Sequence, residues 1–345
     1  MKKRKKLRVL IADDSALFRA VLEKKLSADQ DIEIVAKAAN PYEARDMIIK
    51  HRPDVMTLDV EMPKMNGIEF VKKLMPQYPM PIVMVSSLND TVFDALNAGA
   101  VDFVNKPSSS DGVDMFIKEL IVKIKIASTV NVGDFKHLNK KVTSLNEVNY
   151  NSDIRLIAIG ASTGGTIAVS KVLKGLTRGV PGIVIVQHMP PVFTKMFAER
   201  MNNECLLAVK EAEDGDEITP GRAFIAPGDS HIRVTRKGSK YIIKTEKYNE
   251  KNKVNGHCPS VDVLFNSVSQ NVRDKAIGVI LTGMGKDGAL GLKRMKASGA
   301  ITIGQDQSTS VVYGMPKVAY DLGAVKYQLP IEQISEKIQM ILKKN

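Results

Sequence analysis

The sequence predicts an α/β protein made of two doubly wound parallel-sheet domains joined by a linker. Three observations carry this. Short apolar runs alternate with amphipathic segments over residues 7–126, and the alternation resumes over 153–345. Between them, residues 127–152 are polar and rich in Asn and Lys, the composition of a linker with at most one weak helix. Finally, residue types suited to chemistry stand at the ends of the apolar runs, where open parallel sheets place their sites.

In the first domain the strands are "LRVLIA", "IEIVAKA", "DVMTLDV", "PIVMVSS" and "DFVNK". Helical segments lie between them, such as "SALFRAVLEKKLS", whose Ser15 is placed to cap the helix. "DMFIKELIVKIKIAS" closes the domain with apolar residues at helical spacing. In the second domain "IRLIAIG", "GIVIVQH", "AFIAP", "AIGVILTG" and "AITIGQD" are short, continuous and rich in Ile and Val, as strands buried on both faces must be. "HIRVTRK" and "YIIKTEK" predict a hairpin between the third and fourth of these.

The bulk properties fit two such domains. A chain of 345 residues exceeds the roughly 250–300 that one core usually holds. No apolar run reaches the roughly 18–20 residues of a membrane helix. The basic "MKKRKKLR" lacks the apolar stretch and cleavage site of a signal peptide. Cys205 and Cys258 are too few for a disulfide framework or metal array, so a cytoplasmic protein is expected. The net charge of +12 raises nucleic acid as a partner. Beyond the N-terminal cluster, however, the basic residues are scattered among acidic ones, tryptophan is absent and no zinc-finger spacing occurs. No nucleic-acid partner is expected, and the strands of the second half leave no room for a helix-turn-helix output.

The first domain gathers an acidic site. Its first strand ends in Asp13-Asp14, its third in Asp59, its fourth in Ser86-Ser87 and its fifth in Lys106-Pro107. On one sheet rim, the grouped carboxylates repel each other unless a cation joins them, and Mg²⁺ favours carboxylate, water and phosphate oxygens. A phosphoryl group on Asp59 would then be met by Mg²⁺, Lys106 and the Ser86 hydroxyl. Lys106–Pro107 is a candidate cis peptide.

The second domain opens with "GASTG" at 160–164, a Gly-rich turn between a strand and the helical "TIAVSKVLKGL". Such a turn cradles phosphate or presents a nucleophilic serine. The phosphate readings lack their parts: Thr166-Ile167 follows where a P-loop needs Lys and Ser/Thr, and the next strand ends in Gln187-His188 rather than an acid. Of the five histidines, His188 directly follows a buried strand of the second sheet, as Ser162 does, which makes it the candidate base. Asp287 is the preferred orienting carboxylate, because Gly283, Gly285 and Gly288 let its loop bend and free N–H groups for an oxyanion. Asp306 is the runner-up.

Both halves resemble known families. "IADDS", "TLDVEMPKMNGIEF", "MVSS" and "VNKP" resemble the flavodoxin-like receiver domain of two-component response regulators. That resemblance implies that Asp59 accepts phosphate from a histidine kinase, that Asp13, Asp14 and Asp59 hold Mg²⁺, and that Ser86 and Lys106 bind the phosphoryl group. Ser86 stands where many receivers carry Thr. "IGASTGGT", "QHMPPVFT", "IAPGDSHIRV", "CPSVDVLFNSV", "LTGMGKDGA" and "GQDQSTSVVYGMP" resemble the catalytic domain of the chemotaxis protein-glutamate methylesterases. The implied triad is Ser162, His188 and Asp287, with Met284 and Thr163 supporting the oxyanion and no cofactor for hydrolysis. The implied substrates are glutamyl methyl esters and specific glutamines on methyl-accepting chemoreceptors, and the implied phosphodonor is the chemotaxis histidine kinase. By the same resemblance the protein is peripheral to receptor arrays without membrane insertion, and its unphosphorylated receiver covers the catalytic cleft.

Overall fold

The computed structural model describes residues 6–87, 91–107, 112–130, 150, 152–249 and 252–343. The basic start and most of the expected linker, His137 included, lie outside the described residues. The chain divides into two compact units, Met1–Leu138 and Asn139–Asn345.

The first unit runs β1 (Leu7–Ala12), α1 (Ala16–Leu26), β2 (Ile32–Ala38), α2 (Pro41–His51), β3 (Val55–Asp59), α3 (Gly67–Leu74), β4 (Ile82–Ser86), α4 (Val92–Asn97), β5 (Asp102–Asn105) and α5 (Val113–Ala127). Its strands form one parallel sheet in the order β2-β1-β3-β4-β5. Val9, Leu10, Ile11 and Ala12 are all buried, since helices cover both faces of a parallel sheet. The helix starts follow their caps. Ser15 Oγ accepts from Phe18 N at 3.3 Å, and Asn40 Oδ1 accepts from Tyr42 N and Glu43 N ahead of Pro41. Among the described residues the cis peptide is Cys258–Pro259, not Lys106–Pro107. The small trans preference of X–Pro bonds makes every one a candidate and ranks none of them.

The second unit runs β6 (Leu156–Ala161), α6 (Gly165–Lys174), β7 (Gly182–Gln187), α7 (Phe193–Glu204), β8 (Ala208–Glu211), β9 (Arg222–Ile225), β10 (Ser230–Lys237), β11 (Lys240–Lys247) and α8 (Val261–Asn271). It continues with β12 (Ala276–Ile280), α9 (Ala289–Ala297), β13 (Ile301–Gln305), α10 (Met315–Asp321), β14 (Tyr327–Leu329) and α11 (Ile331–Lys343). Seven strands form a parallel sheet in the order β14-β13-β12-β6-β7-β9-β8, and β10 and β11 pair antiparallel as the expected hairpin. The sheet is wider than the sequence suggests. Its edge strands "AVKE" and "YQL" are too short and too polar to show as apolar runs. Helix α8 buries Val261, Leu264, Phe265 and Val268 completely. Full burial of such side chains contributes about 1.5–3 kcal/mol each.

Topology decides where chemistry can sit. From β6 the chain moves one way through β7, then returns to place β12 on the other side of β6. At that reversal the loops leaving adjacent strands diverge and open a crevice at the carboxyl end of the sheet.

Candidate active site

Ser162 and His188 leave adjacent strands at the same level. Ala161 on β6 is paired with Gln187 on β7, and His188 N donates to Ala161 O at 3.1 Å. Neighbouring strands lie about 4.8 Å apart, so the residues one step on from a matched pair share one rim. The turn after Ser162 is close-packed. Gly164 adopts φ +75°, which favours glycine, and Gly165 N donates back to Ser162 O at 2.7 Å before α6 begins. Gln187, buried at the end of β7, ties the two loops together: its Nε2 donates to Ser162 O at 2.9 Å and to His188 O at 3.2 Å. A Cβ on Gly165 would run into Gln187 Oε1 and come 2.7 Å from Ala161 Cβ. Gly165→Ala is therefore expected to lower stability by about 1–3 kcal/mol, read as a shift of the urea unfolding midpoint.

Asp287 enters from the other side of β6, in the loop between β12 and α9. It is 1% exposed and meets His188 Nε2 through Oδ2 at 3.0 Å. Four further donors converge on it. Val261 N reaches Oδ2 at 2.7 Å, while Asn255 Nδ2 and Ser260 Oγ each reach Oδ1 at 2.8 Å and Asp262 N does so at 3.3 Å. Two of these are the opening N–H groups of α8, so the carboxylate also sits on the positive end of a helix. Burial alone would raise its pKa. The hydrogen bond and charge of His188, with Asn255 and Ser260, outweigh burial and hold the carboxyl well below the usual carboxylate range. Asp306 lies elsewhere in its role: it accepts from Thr309 N, Thr309 Oγ1 and Ser308 Oγ, fastening its own loop.

With Nε2 on Asp287, His188 keeps Nδ1 for a proton. Nδ1 is buried and has no hydrogen-bond partner among the described residues, so the bond to Ser162 is not made in this state. Resting sites often close that bond only when substrate arrives. The N–H groups of Thr163 and Met284 donate to no acceptor among the described residues, whereas Gly283 N is already given to Val312 O at 3.0 Å. Thr163 is buried and Met284 is half exposed.

Sequence reasoning missed Gln187, Asn255, His257 and Ser260. His257 stacks on His188 with ring centroids 3.9 Å apart and planes 8° from parallel. The Asn-Gly pair at 255–256 is a signal for a tight turn, but nothing in its spacing points to Asp287.

In the first unit, Asp13, Asp14 and Asp59 each offer an oxygen, and these lie within 4.8 Å of one another. An all-oxygen set of this kind suits Mg²⁺. Lys106 Nζ reaches Asp13 Oδ2 at 2.8 Å and Asp59 Oδ2 at 2.6 Å. Burial and the neighbouring Asp13 push the Asp59 carboxyl up, against the pull of Lys106. Ser86 is buried on the adjoining strand, but its hydroxyl donates to Ser87 O at 2.7 Å rather than to the carboxylates.

Comparison with known proteins adds to this geometry. The sequence model of the CheB methylesterase family matches residues 157–338, and that of the response regulator receiver domain matches 9–117. A protein-glutamate methylesterase/protein-glutamine glutaminase of Syntrophomonas wolfei is 50% identical over 341 residues, 98% of each chain. Its counterpart in Salmonella typhimurium is 46% identical over 344 residues, 98% of this chain and 97% of that one. The crystal structure of the Thermotoga maritima CheB methylesterase catalytic domain superposes with a TM-score of 0.52 at 40% identity, covering 55% of this chain and 98% of that one.

Proposed function

Because the chain belongs to the CheB methylesterase family, with a receiver domain ahead of the catalytic one, we propose that it hydrolyses glutamyl methyl esters on methyl-accepting chemoreceptors, and deamidates specific glutamines there, through Ser162, His188 and Asp287. The observation that carries this is the His188–Asp287 pair beside Ser162 at the sheet's switch point.

His188 Nδ1 takes the Ser162 proton as Oγ attacks the ester carbonyl, while Asp287 holds the ring and balances the imidazolium charge. The N–H groups of Thr163 and Met284 receive the oxyanion, each such donor being worth about 2.7–4 kcal/mol in serine hydrolases. Methoxide leaves poorly, so the imidazolium returns its proton and methanol departs. Water, deprotonated by His188, then attacks the glutamyl–Ser162 ester and frees the glutamate and the serine. From a glutamine amide the leaving group is ammonia. Hydrolysis needs no cofactor in this scheme.

The receiver supplies regulation. Asp59 accepts the phosphoryl group from the chemotaxis histidine kinase. Asp13, Asp14 and Asp59 would hold Mg²⁺, which supplies charge neutralisation at the phosphoryl oxygens when bound. Lys106 pairs with the same oxygens, and the Ser86 hydroxyl turns from Ser87 O to meet them. Among the described residues no helix is long and apolar enough to cross a membrane. Phosphorylation relieves inhibition by the receiver. A complete shift from 1:99 to 99:1 corresponds to about 5.5 kcal/mol, and a partial one to less. The segment from residue 150 onward, assayed alone, is expected to outpace the unphosphorylated full chain. Equal rates would remove the inhibition.

A further inference from the structure

The loop between β11 and α8 carries three groups into the site. Val254 and His257 bond each other's backbone at 3.2 and 2.9 Å, closing a turn over Asn255 and Gly256. Both of those residues have positive φ, +53° and +83°, as a two-residue Asn-Gly turn of the primed type requires. The turn delivers the Asn255 amide to Asp287 and to the neighbouring Asp262, each at 2.8 Å. It also lays the His257 ring flat on His188, and Ser260 reaches Asp287 at its far end. The base of the loop is pinned by His231, which is 1% exposed. Its Nδ1 accepts from Ser260 N at 3.1 Å, so its Nε2 carries the proton and donates to Asn252 O at 2.7 Å. One imidazole thus fastens both ends of the segment 252–260.

Among the described residues the His188 ring makes one side-chain hydrogen bond, to Asp287. A single bond at Nε2 leaves the ring free to swing about it, carrying Nδ1 away from the serine. A parallel ring at 3.9 Å removes that freedom. We propose that His257 is a positioning residue for this reaction: its ring fixes the plane of His188, so that Nε2 stays on Asp287 while Nδ1 is held for Ser162. The inference rests on His188 being the base and deepens that reading. The groups facing His257 are His188 from the end of β7, Asp287 from the loop after β12 and Lys253 from its own loop. Burial, then the charge of His188, lowers the His257 pKa to about 4 against the pull of Asp287, and Lys253 adds to the lowering. The ring is therefore neutral at neutral pH, and does not repel the imidazolium that forms on His188.

The test uses the full chain as wild type, His257→Ala and His257→Phe. Phenylalanine keeps a flat neutral ring and removes the nitrogens. A misplacement of about 1 Å costs roughly 100-fold in rate, so His257→Ala is expected to lose about 10- to 100-fold in kcat for methanol release, with KM little changed. His257→Phe recovers most of that loss. The second readout is the proton NMR signal of His188 Nε2–H shared with Asp287, which broadens or vanishes in the Ala variant and persists in the Phe variant. Unchanged kcat and an unchanged signal in His257→Ala overturn the proposal. So does a folded His257→Phe that loses as much activity as Ala, since His257 would then have chemistry of its own. Should His257→Ala fail to fold, the Phe variant alone decides. The NMR arm does not depend on turnover: a wild type that releases no methanol refutes the proposed reaction, while the signal still judges the stack.

Discussion

Asp287→Asn is expected to lower kcat for ester hydrolysis by roughly 10⁴-fold, because an amide neither fixes the required tautomer of the base nor balances its charge. The surroundings make the loss firm. Five donors converge on this carboxylate, from His188, Asn255, Ser260, Val261 and Asp262. An asparagine offers one oxygen and turns two hydrogens toward groups that also donate. The frustrated contacts add about 1–3 kcal/mol of lost stability, read from the thermal midpoint. Asp306→Asn is the matched control. It loosens a loop fastened to Thr309 and Ser308, and activity is expected to stay within about twofold, the range of changes away from a site. A large loss at Asp306 with little at Asp287 would reverse the assignment of the carboxylate.

Ser162→Ala is expected to reduce methanol release by at least roughly 10⁴-fold, as removal of the nucleophile does in serine hydrolases. Stability should hardly move. Ser162 N donates to Thr282 O, and Ser162 O accepts from Gly165 N and Gln187 Nε2; none of these bonds uses the hydroxyl. Circular dichroism and the urea midpoint therefore separate lost chemistry from lost fold. Turnover near wild type in a folded Ser162→Ala would remove the nucleophile from the account.

Much of this site was legible because parallel sheets write themselves plainly. A strand buried on both faces reads as a near-continuous apolar run, as "LIAIGA" and the "GIVIV" of β7 do, so its carboxyl end is visible where polar residues begin. Ser162, His188, Asp13 and Asp59 are read off such strand ends, and resemblance to known families adds the roles expected of them. The edge strands β8 and β14 were not legible, because an edge needs no apolar run. Nor was the hydrogen-bond hub around Asp287. Asn255, His257 and Ser260 look like ordinary loop residues in sequence, and gain meaning when α8 docks its first turn against the loop after β12. Side-chain direction was equally hidden: Ser86 is where the pattern put it, yet its hydroxyl faces Ser87 O. So was the use of the imidazole, whose Nε2, rather than the more usual Nδ1, meets the aspartate.

The proposed protein is a serine-dependent methylesterase governed by its own receiver. Its most direct test is methanol release from methylated chemoreceptor fragments by the full chain, with and without a small-molecule phosphodonor and Mg²⁺. Methanol is expected in both cases, with a higher rate when the phosphodonor is present and no such rise in Asp59→Asn. No methanol under either condition, from a folded protein and a fully methylated substrate, would contradict it.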